Sequence, residues 1–183
     1  AIPTAITAKL WAFLFSEQGI VNSIFHAHVA WQTDPWAARF SIILADVWKT
    51  TPFMALLILA GLQMIPKDLY EAARMDGANA WQRFTRITLP LAKNSIIVAV
   101  LFRMLDALRM YDLPYIMVGP NPDSPTATLS QLVVAAIRQD HVNAASALST
   151  LIFLLIFLIA LCFVKSLGSK VAHQAEPVVA EEE

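Results

Sequence analysis

Charged residues are scarce in this sequence: Asp, Glu, Lys and Arg make up 15% of its 183 residues, against roughly 25% in an ordinary soluble domain. A single cysteine excludes a disulfide within the chain. The net charge of -1 indicates neither nucleic-acid binding nor an acidic partner, so we expect no nucleic-acid partner. These shortages exclude a disulfide scaffold and leave a chain that is unusually apolar for water.

Apolar residues fill the composition instead, at 57% with a mean hydropathy of +0.58. No charged residue lies between Ala144 and Val164, and a helix of those 21 residues is about 32 Å long, which matches a bilayer core of about 30 Å. Lys165 and Lys170 follow directly and place this end in the cytoplasm. The sequence therefore predicts an all-α, polytopic membrane protein.

A second membrane-spanning helix is predicted over residues 41–65. A helix that began at Thr51 would measure only about 22 Å, too short to cross. We therefore expect it to begin near Ser41 and to kink at Pro52. The alternative is a helix that starts afresh, with Thr51 as N-cap and Pro52 at its first position.

The third predicted span, residues 91–112, is charged in its outer half. Four charged side chains facing lipid would cost roughly 10 kcal/mol if they were central. Spaced by three, they can instead pair along one helix and face protein or water. These residues are Arg103, Asp106, Arg109 and Asp112.

Basic residues set the orientation of these helices. Five lie between Pro66 and Lys93, whereas residues 16–40 and 113–143 hold one each. Because basic residues favour the cytoplasm, we expect 66–90 to be cytoplasmic and the other two segments to be external. Trp31, Trp36 and Trp48 then serve as aromatic anchors near the external interface.

Three complete spans enclose a pathway poorly, so we expect this chain to be part of a longer subunit. Residues 1–15 read as the end of an earlier transmembrane helix. Residues 165–183 are predicted to form a cytoplasmic tail that is polar and acidic towards its end.

Residues 66–90 are called segment 66–90. Their sequence predicts two short helices joined at a sharp bend. The first is ended by Gly77, and the second runs from Asn79 and stops before Leu89-Pro90. Apolar side chains lie beside a charged rim, a surface that suits docking to another protein. The alternative is an amphipathic helix on the bilayer surface. The apolar residues are Tyr70, Met75, Trp81 and Phe84.

One pattern in segment 66–90 is specific: Glu71-Ala72-Ala73, three residues, Gly77, nine residues, then Ile87-x-Leu89-Pro90. It resembles in full the EAA motif of permease subunits of bacterial ABC importers, the binding-protein-dependent transport system inner membrane components. Flanking stretches resemble the carbohydrate branch of that family, and the likeness runs from about Trp11 to Val164. They are Trp48-Lys-Thr-Thr-Pro-Phe-Met, Ala60-Gly-Leu-Gln-Met-Ile-Pro and Phe102-Arg-x-x-Asp-Ala-x-Arg-x-x-Asp112.

The resemblance implies the type I ABC importer permease fold, with about six transmembrane helices in the full subunit. It implies a second permease subunit, two cytoplasmic ATPase subunits that bind ATP and Mg, and an extracytoplasmic sugar-binding protein. Residues Glu71, Ala72, Ala73 and Gly77 would then dock on the ATPase. The absence of a GxxxxGK[ST] phosphate loop agrees with nucleotide binding elsewhere, so no cofactor is expected in this chain. The substrate class implied is a trehalose-like or maltose-like di- or oligosaccharide.

Polar and aromatic residues near the outer half of the third span are the candidates for the substrate pathway; structural ion pairing is the alternative. The run Val118-Gly-Pro-Asn-Pro stands where the family usually has a Gly-rich Thr-Gly-Gly-Gly-Pro run, which is a departure in the external loop. The candidates are Arg103, Asp106, Arg109, Tyr111, Asp112 and Tyr115.

Two other functions are consistent with a polytopic chain: a membrane-embedded enzyme, and a passive channel or scaffold. An enzyme could draw on His26, His28, His141, Asp46 and Asp106. However, His26-x-His28 lacks the spacing of a helical zinc pair, and neither HExxH nor GxSxG occurs. We therefore expect a transporter subunit with no catalytic residue and no metal site.

Overall fold

A computed structural model of the protein describes residues 3–26 and 28–174. These residues form helices and turns and include no strand, as expected for the all-α class. Three of the helices are long and apolar enough to cross a membrane: Pro35–Gln63, Ala80–Leu108 and Val142–Lys165. The three predicted spans are therefore present.

The helices are named in chain order. In the first half, α1 is Thr4–Leu14, α2 is Ile20–Phe25, α3 is Pro35–Gln63, α4 is Lys67–Met75 and α5 is Ala80–Arg83. A π-helical turn at Phe84–Thr88 leads into α6 at Leu89–Leu108, followed by α7 at Asp112–Met117, α8 at Leu129–Arg138 and α9 at Val142–Gln174.

The chain divides into two compact units, and the boundaries fall inside the three long helices. The first unit contains the described residues up to Phe53 together with Asp106–Ile152. The second contains Met54–Leu105 and the described residues from Phe153 onwards.

Helix α3 is one continuous helix, so the alternative start at Thr51 is wrong. It begins earlier than Ser41 because Asp34 caps it: Asp34 Oδ1 accepts from the backbone N–H groups of Trp36 and Ala37 at 3.0 and 2.8 Å. Pro35 then occupies the first helical position, which proline favours. Pro52 lies inside the helix.

The second helix of segment 66–90 does not stop before Leu89-Pro90, and that prediction is wrong. Helix α5, the π-helical turn and α6 run on without a break from Ala80 to Leu108. A proline ring inside an α-helix collides with the carbonyl four residues earlier. The wider turn at Phe84–Thr88 precedes Pro90 and gives that ring room.

The predicted pairing of Arg109 with Asp112 along one helix is also wrong, because α6 ends at Leu108. Continuing the helix would set the ring of Pro114 against the carbonyl of Met110. That carbonyl instead accepts a hydrogen bond of 2.7 Å from the hydroxyl of Thr128. Asp112 opens α7, where a carboxylate is favoured by the helix dipole.

The first unit has a small core in which α1 packs against α7. Trp11 stacks on Phe15 with ring centroids 5.6 Å apart, and Phe15 contacts Trp31 at 5.0 Å. The Trp31 indole donates to Asn22 Oδ1 at 2.7 Å. The buried apolar residues of this core are Ala8, Phe15, Ile42, Ala45, Leu113 and Met117.

The two ends of the sequence contain the remaining predicted elements. Helix α1 lies at the position of the predicted end of an earlier span, and it is an apolar helix of 11 residues. The predicted tail, 165–183, starts inside α9, which continues to Gln174; residues 175–183 lie outside the described part of the chain.

Candidate coupling segment and polar cavities

The bend of segment 66–90 is formed at Gly77, as predicted. Gly77 has φ +73°, and its N–H donates to the Arg74 carbonyl at 3.0 Å, while the Ala78 N–H donates to the Ala73 carbonyl at 2.9 Å. This is the glycine termination of a helix, and it satisfies carbonyls that α4 leaves without helical partners. No atom lies within 4 Å of a Cβ built at Gly77, so glycine is required by the backbone angle rather than by space.

The next helix starts immediately with a reciprocal cap. Asn79 Oδ1 accepts from the Gln82 N–H at 2.9 Å, and Gln82 Oε1 accepts from the Asn79 N–H at 2.8 Å. Arg83 reaches back, donating from Nη1 to the Ala78 carbonyl at 2.7 Å. The turn between the two short helices is therefore fixed from both sides.

A third contact closes segment 66–90 near its base. The hydroxyls of Tyr70 in α4 and Thr88 in the π-helical turn are 2.9 Å apart and share a hydrogen bond. This bond joins the two arms of the bend 18 residues apart in sequence. Together with the cap and the glycine termination, it holds the angle between the arms.

Segment 66–90 buries none of its side chains, and most of them are exposed. No residue of α4, α5 or the π-helical turn is buried, and Met75 and Trp81 are 89% and 70% exposed. Of the predicted coupling residues, Glu71 and Ala72 are exposed, while Ala73 and Gly77 line a cleft of about 400 Å³ inside the bend. The predicted docking residues thus lie on an exposed bend that is held by its own hydrogen bonds.

Several predicted substrate-pathway residues share one polar cavity in the first unit. It measures about 120 Å³, and its wall includes Asp106, Arg109, Tyr111 and Asp112. Arg103 does not line this cavity and belongs to the second unit.

The same cavity includes residues that were not among the predicted substrate-pathway candidates. Asp46 of α3 is 8% exposed and lies in the wall with Lys49 and Thr4. Lys49 Nζ donates to Thr4 Oγ1 at 2.6 Å. The signal for this grouping was present in the sequence as Asp46 and Lys49, two charged residues in an apolar helix, which are costly unless they face protein or water.

A second cavity of about 150 Å³ contains the remaining candidate, Tyr115, and shares Tyr111 with the first. The two tyrosine rings stack with centroids 5.1 Å apart. Arg138 of α8 lies over the Tyr115 ring at 5.4 Å, and its Nη1 and Nη2 both donate to the Tyr115 hydroxyl at 3.1 Å. This hydrogen bond raises the pKa of Arg138 above its ordinary value.

Gln131 is another wall residue of the second cavity that sequence reasoning missed. It is the third residue of α8 and completes a reciprocal cap with Thr128. The Thr128-x-x-Gln131 spacing signals a helix start, but it carries no information about which cavity the amide borders. Arg138 was likewise noted only as the single basic residue of residues 113–143.

The histidines and carboxylates proposed for an enzyme do not assemble into a metal site. Within residues 3–26 and 28–174, no group of three His, Cys, Asp or Glu side chains is placed to hold a metal ion. The described residues contain three helices of membrane length, a hydrogen-bonded exposed bend in the second unit, and polar cavities in the first. The helices define the chain as an α-helical integral membrane protein.

The family follows from comparison with known sequences. The family model described as "Binding-protein-dependent transport system inner membrane component" matches residues 1–173. The chain belongs to this family of inner membrane components, which confirms the resemblance read from the EAA motif.

Curated relatives and a solved structure agree with this assignment. The chain is 43% identical over 170 residues to the trehalose/maltose transport system permease protein MalF of Thermococcus litoralis, covering 90% of this chain and 58% of that protein. It is 45% identical over 129 residues to the trehalose transport system permease protein SugA of Mycobacterium tuberculosis, covering 70% and 41%. These relatives are named as permease proteins of transport systems, not as enzymes.

A crystal structure of a bacterial ABC transporter involved in the import of the acidic polysaccharide alginate is similar in fold. Its TM-score is 0.81 at 26% identity, over 92% of this chain and 61% of that one. The chain therefore spans about half the length of the curated relatives it matches, and a little more of the matched chain in the structure.

Proposed function

We propose that this chain is the transmembrane permease subunit of an ATP-driven sugar importer and forms half of its translocation pathway. Its partners would be a second permease subunit, two cytoplasmic ATPase subunits that bind ATP and Mg, and an extracytoplasmic sugar-binding protein. The cargo would be a di- or oligosaccharide of the trehalose or maltose kind. The names of the two relatives above support this substrate class.

The geometry of segment 66–90 is the observation that carries the proposal. It connects two helices of membrane length, buries none of its helical residues, and is held in one shape by the contacts of Gly77, Asn79 and Tyr70. An exposed apolar tip beside charged residues is a surface that favours a protein partner over water. Its five neighbouring basic residues favour the cytoplasmic side, where ATP is available.

Transport would then follow from rigid-body motion. Closure of the two ATPase subunits on ATP would displace segment 66–90. Because the π-helical turn joins α5 to α6 without a break, the displacement would pass into the spanning helix. The pathway would alternate between inward-facing and outward-facing states, and the permease would carry out no chemistry itself.

The test is a charge reversal on the exposed face of α4. Glu71→Lys is expected to lower sugar uptake and sugar-stimulated ATP hydrolysis by about tenfold or more, the loss that about 1.4 kcal/mol of docking energy produces. Membrane insertion should be unchanged, because Glu71 is exposed and makes no packing contact within the core.

Asp123→Lys is the matched control, since Asp123 is an exposed carboxylate in residues 113–143. It applies the same charge change on the predicted external side and should leave uptake near the wild-type rate. Normal uptake by the Glu71 variant, or cross-linking of this face to lipid alone in the assembled complex, would refute the docking role.

A further inference from the structure

The cavity beside Tyr111 and Tyr115 combines features that the proposed function has not used. Its wall presents two stacked aromatic rings, one guanidinium and one buried amide, and no carboxylate is among its lining residues. All of these residues belong to the first unit. The arrangement is a concave site with a few polar groups that converge on an aromatic surface, which is typical of small-ligand pockets.

We propose that this cavity binds one pyranose ring of the transported sugar, while the rest of the sugar lies towards the polar cavity of Asp106 and Arg109. The proposal rests on the proposed function for its substrate. It adds a specific subsite in which Gln131 and Arg138 contact the sugar.

The aromatic face supplies the apolar half of sugar recognition. A pyranose presents C–H groups on its ring faces and hydroxyls around its rim, so it fits beside an aromatic plane with hydrogen-bonding groups at the edge. Tyr111 provides that plane in a fixed orientation, because it stacks on Tyr115 and Arg138 in turn holds the Tyr115 ring and hydroxyl.

Arg138 supplies donors at the rim of the cavity. A guanidinium carries five N–H groups, and only two are directed at the Tyr115 hydroxyl. Arg138 is exposed, so its remaining N–H groups are available to sugar hydroxyls. Its contact with Tyr115 orients them without loss of charge.

Gln131 gives separate evidence that a ligand binds in this cavity, because its side-chain amide lacks an acceptor. Gln131 is 6% exposed, yet its Nε2 has no hydrogen-bond partner among the described residues. Its Oε1 is already used, accepting from the Thr128 N–H at 3.1 Å. A buried donor without an acceptor costs free energy, and a sugar hydroxyl in this cavity would supply the acceptor.

Size limits the occupant to a single ring. The cavity of about 150 Å³ is about half the lower bound of roughly 300 Å³ for a pocket that encloses a drug-sized ligand. Tyr111 also lines the neighbouring cavity of about 120 Å³. One ring of a disaccharide can therefore occupy the first cavity while the other lies towards the second.

The experiment uses the full transporter complex in nanodiscs and in proteoliposomes, with trehalose and maltose as probes. Saturation-transfer NMR without the binding protein measures sugar contact directly, and labelled uptake at saturating binding protein measures transport. The variants are Tyr111→Leu, Gln131→Glu and Arg138→Lys. Gln131→Glu keeps the oxygen that caps α8 and removes the amide donor.

Each variant is expected to weaken the NMR contact and to lower maximal uptake by about tenfold, the scale of a lost group in a binding pocket. Gln18→Glu is the control matched to Gln131→Glu, because Gln18 is exposed in the same unit and lies outside the cavity. It should behave as wild type in both measurements.

Unchanged sugar contact in all three variants would overturn the subsite. The subsite would also be overturned if the variants needed a higher concentration of binding protein for half-maximal uptake but reached the same maximal uptake. The cavity would then bind a side chain of the binding protein and not the sugar. If the wild-type complex takes up neither sugar, the proposed function fails, and the NMR measurement still decides whether the cavity holds a pyranose.

Discussion

Segment 66–90 and residues 113–143 are both short helical connections between membrane-length helices, but they are stabilised in different ways. The first is held by hydrogen bonds within itself and buries none of its helical residues. The second packs Leu113 and Met117 into the core of the first unit and encloses a cavity against α8. A self-supporting projection suits docking, whereas a connection that is fixed to a core suits a preformed binding site.

The same helix-start motif has different roles in these two connections. Asn79 caps α5 through local contacts only. Thr128 caps α8 and also donates its hydroxyl to the Met110 carbonyl at 2.7 Å, 18 residues away. One cap shapes a bend, and the other attaches a loop to the end of α6.

The largest effect is expected at the base of segment 66–90, where α3 meets α6. A Cβ at Gly61 would overlap the Oγ and Cβ of Ser95, so one helix must move. Gly61→Ala should destabilise the complex by about 1 to 3 kcal/mol, as overpacking does, and should lower coupled uptake. The thermal midpoint of the detergent-extracted complex measures the first and labelled uptake the second.

Ser95→Gly in the Gly61→Ala background is the matched rescue, because it removes the atoms that the new methyl meets. Recovery of the midpoint would show that helix separation is the cause. A Gly61→Ala complex that is as stable as wild type would mean that segment 66–90 does not depend on this close approach.

A middle-sized effect separates the two caps. Asn79→Ala should cost about 1 kcal/mol for the lost cap. Thr128→Ala should cost that amount plus about 0.5 to 1.5 kcal/mol for the bond to the Met110 carbonyl. Hydrogen exchange of the two loops in the intact complex compares them, and Thr128→Ser should restore both contacts. A larger cost at Asn79 would contradict the distinction between a local and a tethering cap.

The smallest effect concerns the bond between the arms of the bend. Tyr70→Phe removes the hydroxyl that meets Thr88 and should cost about 0.5 to 1.5 kcal/mol. Thr88→Val removes the same bond and also the 3.5 Å hydrogen bond from the Thr88 hydroxyl to the Arg83 carbonyl, so it should cost at least as much. The double variant should cost little more than Thr88→Val alone, because the bond between Tyr70 and Thr88 is already lost in that variant. Additive losses in the thermal midpoint would show that the two hydroxyls act separately.

The sequence was sufficient for the features that depend on local chemistry. An uncharged run of 21 residues predicts the last span, and a glycine after Met75-Asp76 predicts the bend at Gly77. It was insufficient at Pro90, where a π-helical turn overrides the usual effect of proline on a helix. A single sequence carries no sign of that wider turn.

The cavities depend on contacts between residues that are distant in sequence. Thr4, Lys49 and Arg109 line one wall, and Tyr111 and Arg138 line another. The run of charges after Phe102 indicated a polar environment, but it did not indicate which residues from other helices complete the cavity wall. Gln131 was the hardest of these residues to predict from the sequence, because its spacing from Thr128 is fully explained by the helix cap.

The π-helical turn at Phe84–Thr88 also determines which face of the spanning helix α6 is directed at Gly61. Each residue of an α-helix advances the direction of the side chains by about 100°. A five-residue π-helical turn closes an i→i+5 hydrogen bond, so it turns the side chains through nearly the same angle as four α-helical residues. Removing one residue within this turn would rewind it to α-helical pitch and leave the face that carries Ser95 directed towards Gly61. A single deletion inside Phe84–Thr88 should therefore disturb this helix contact far less than a deletion elsewhere between Asn79 and Ser95.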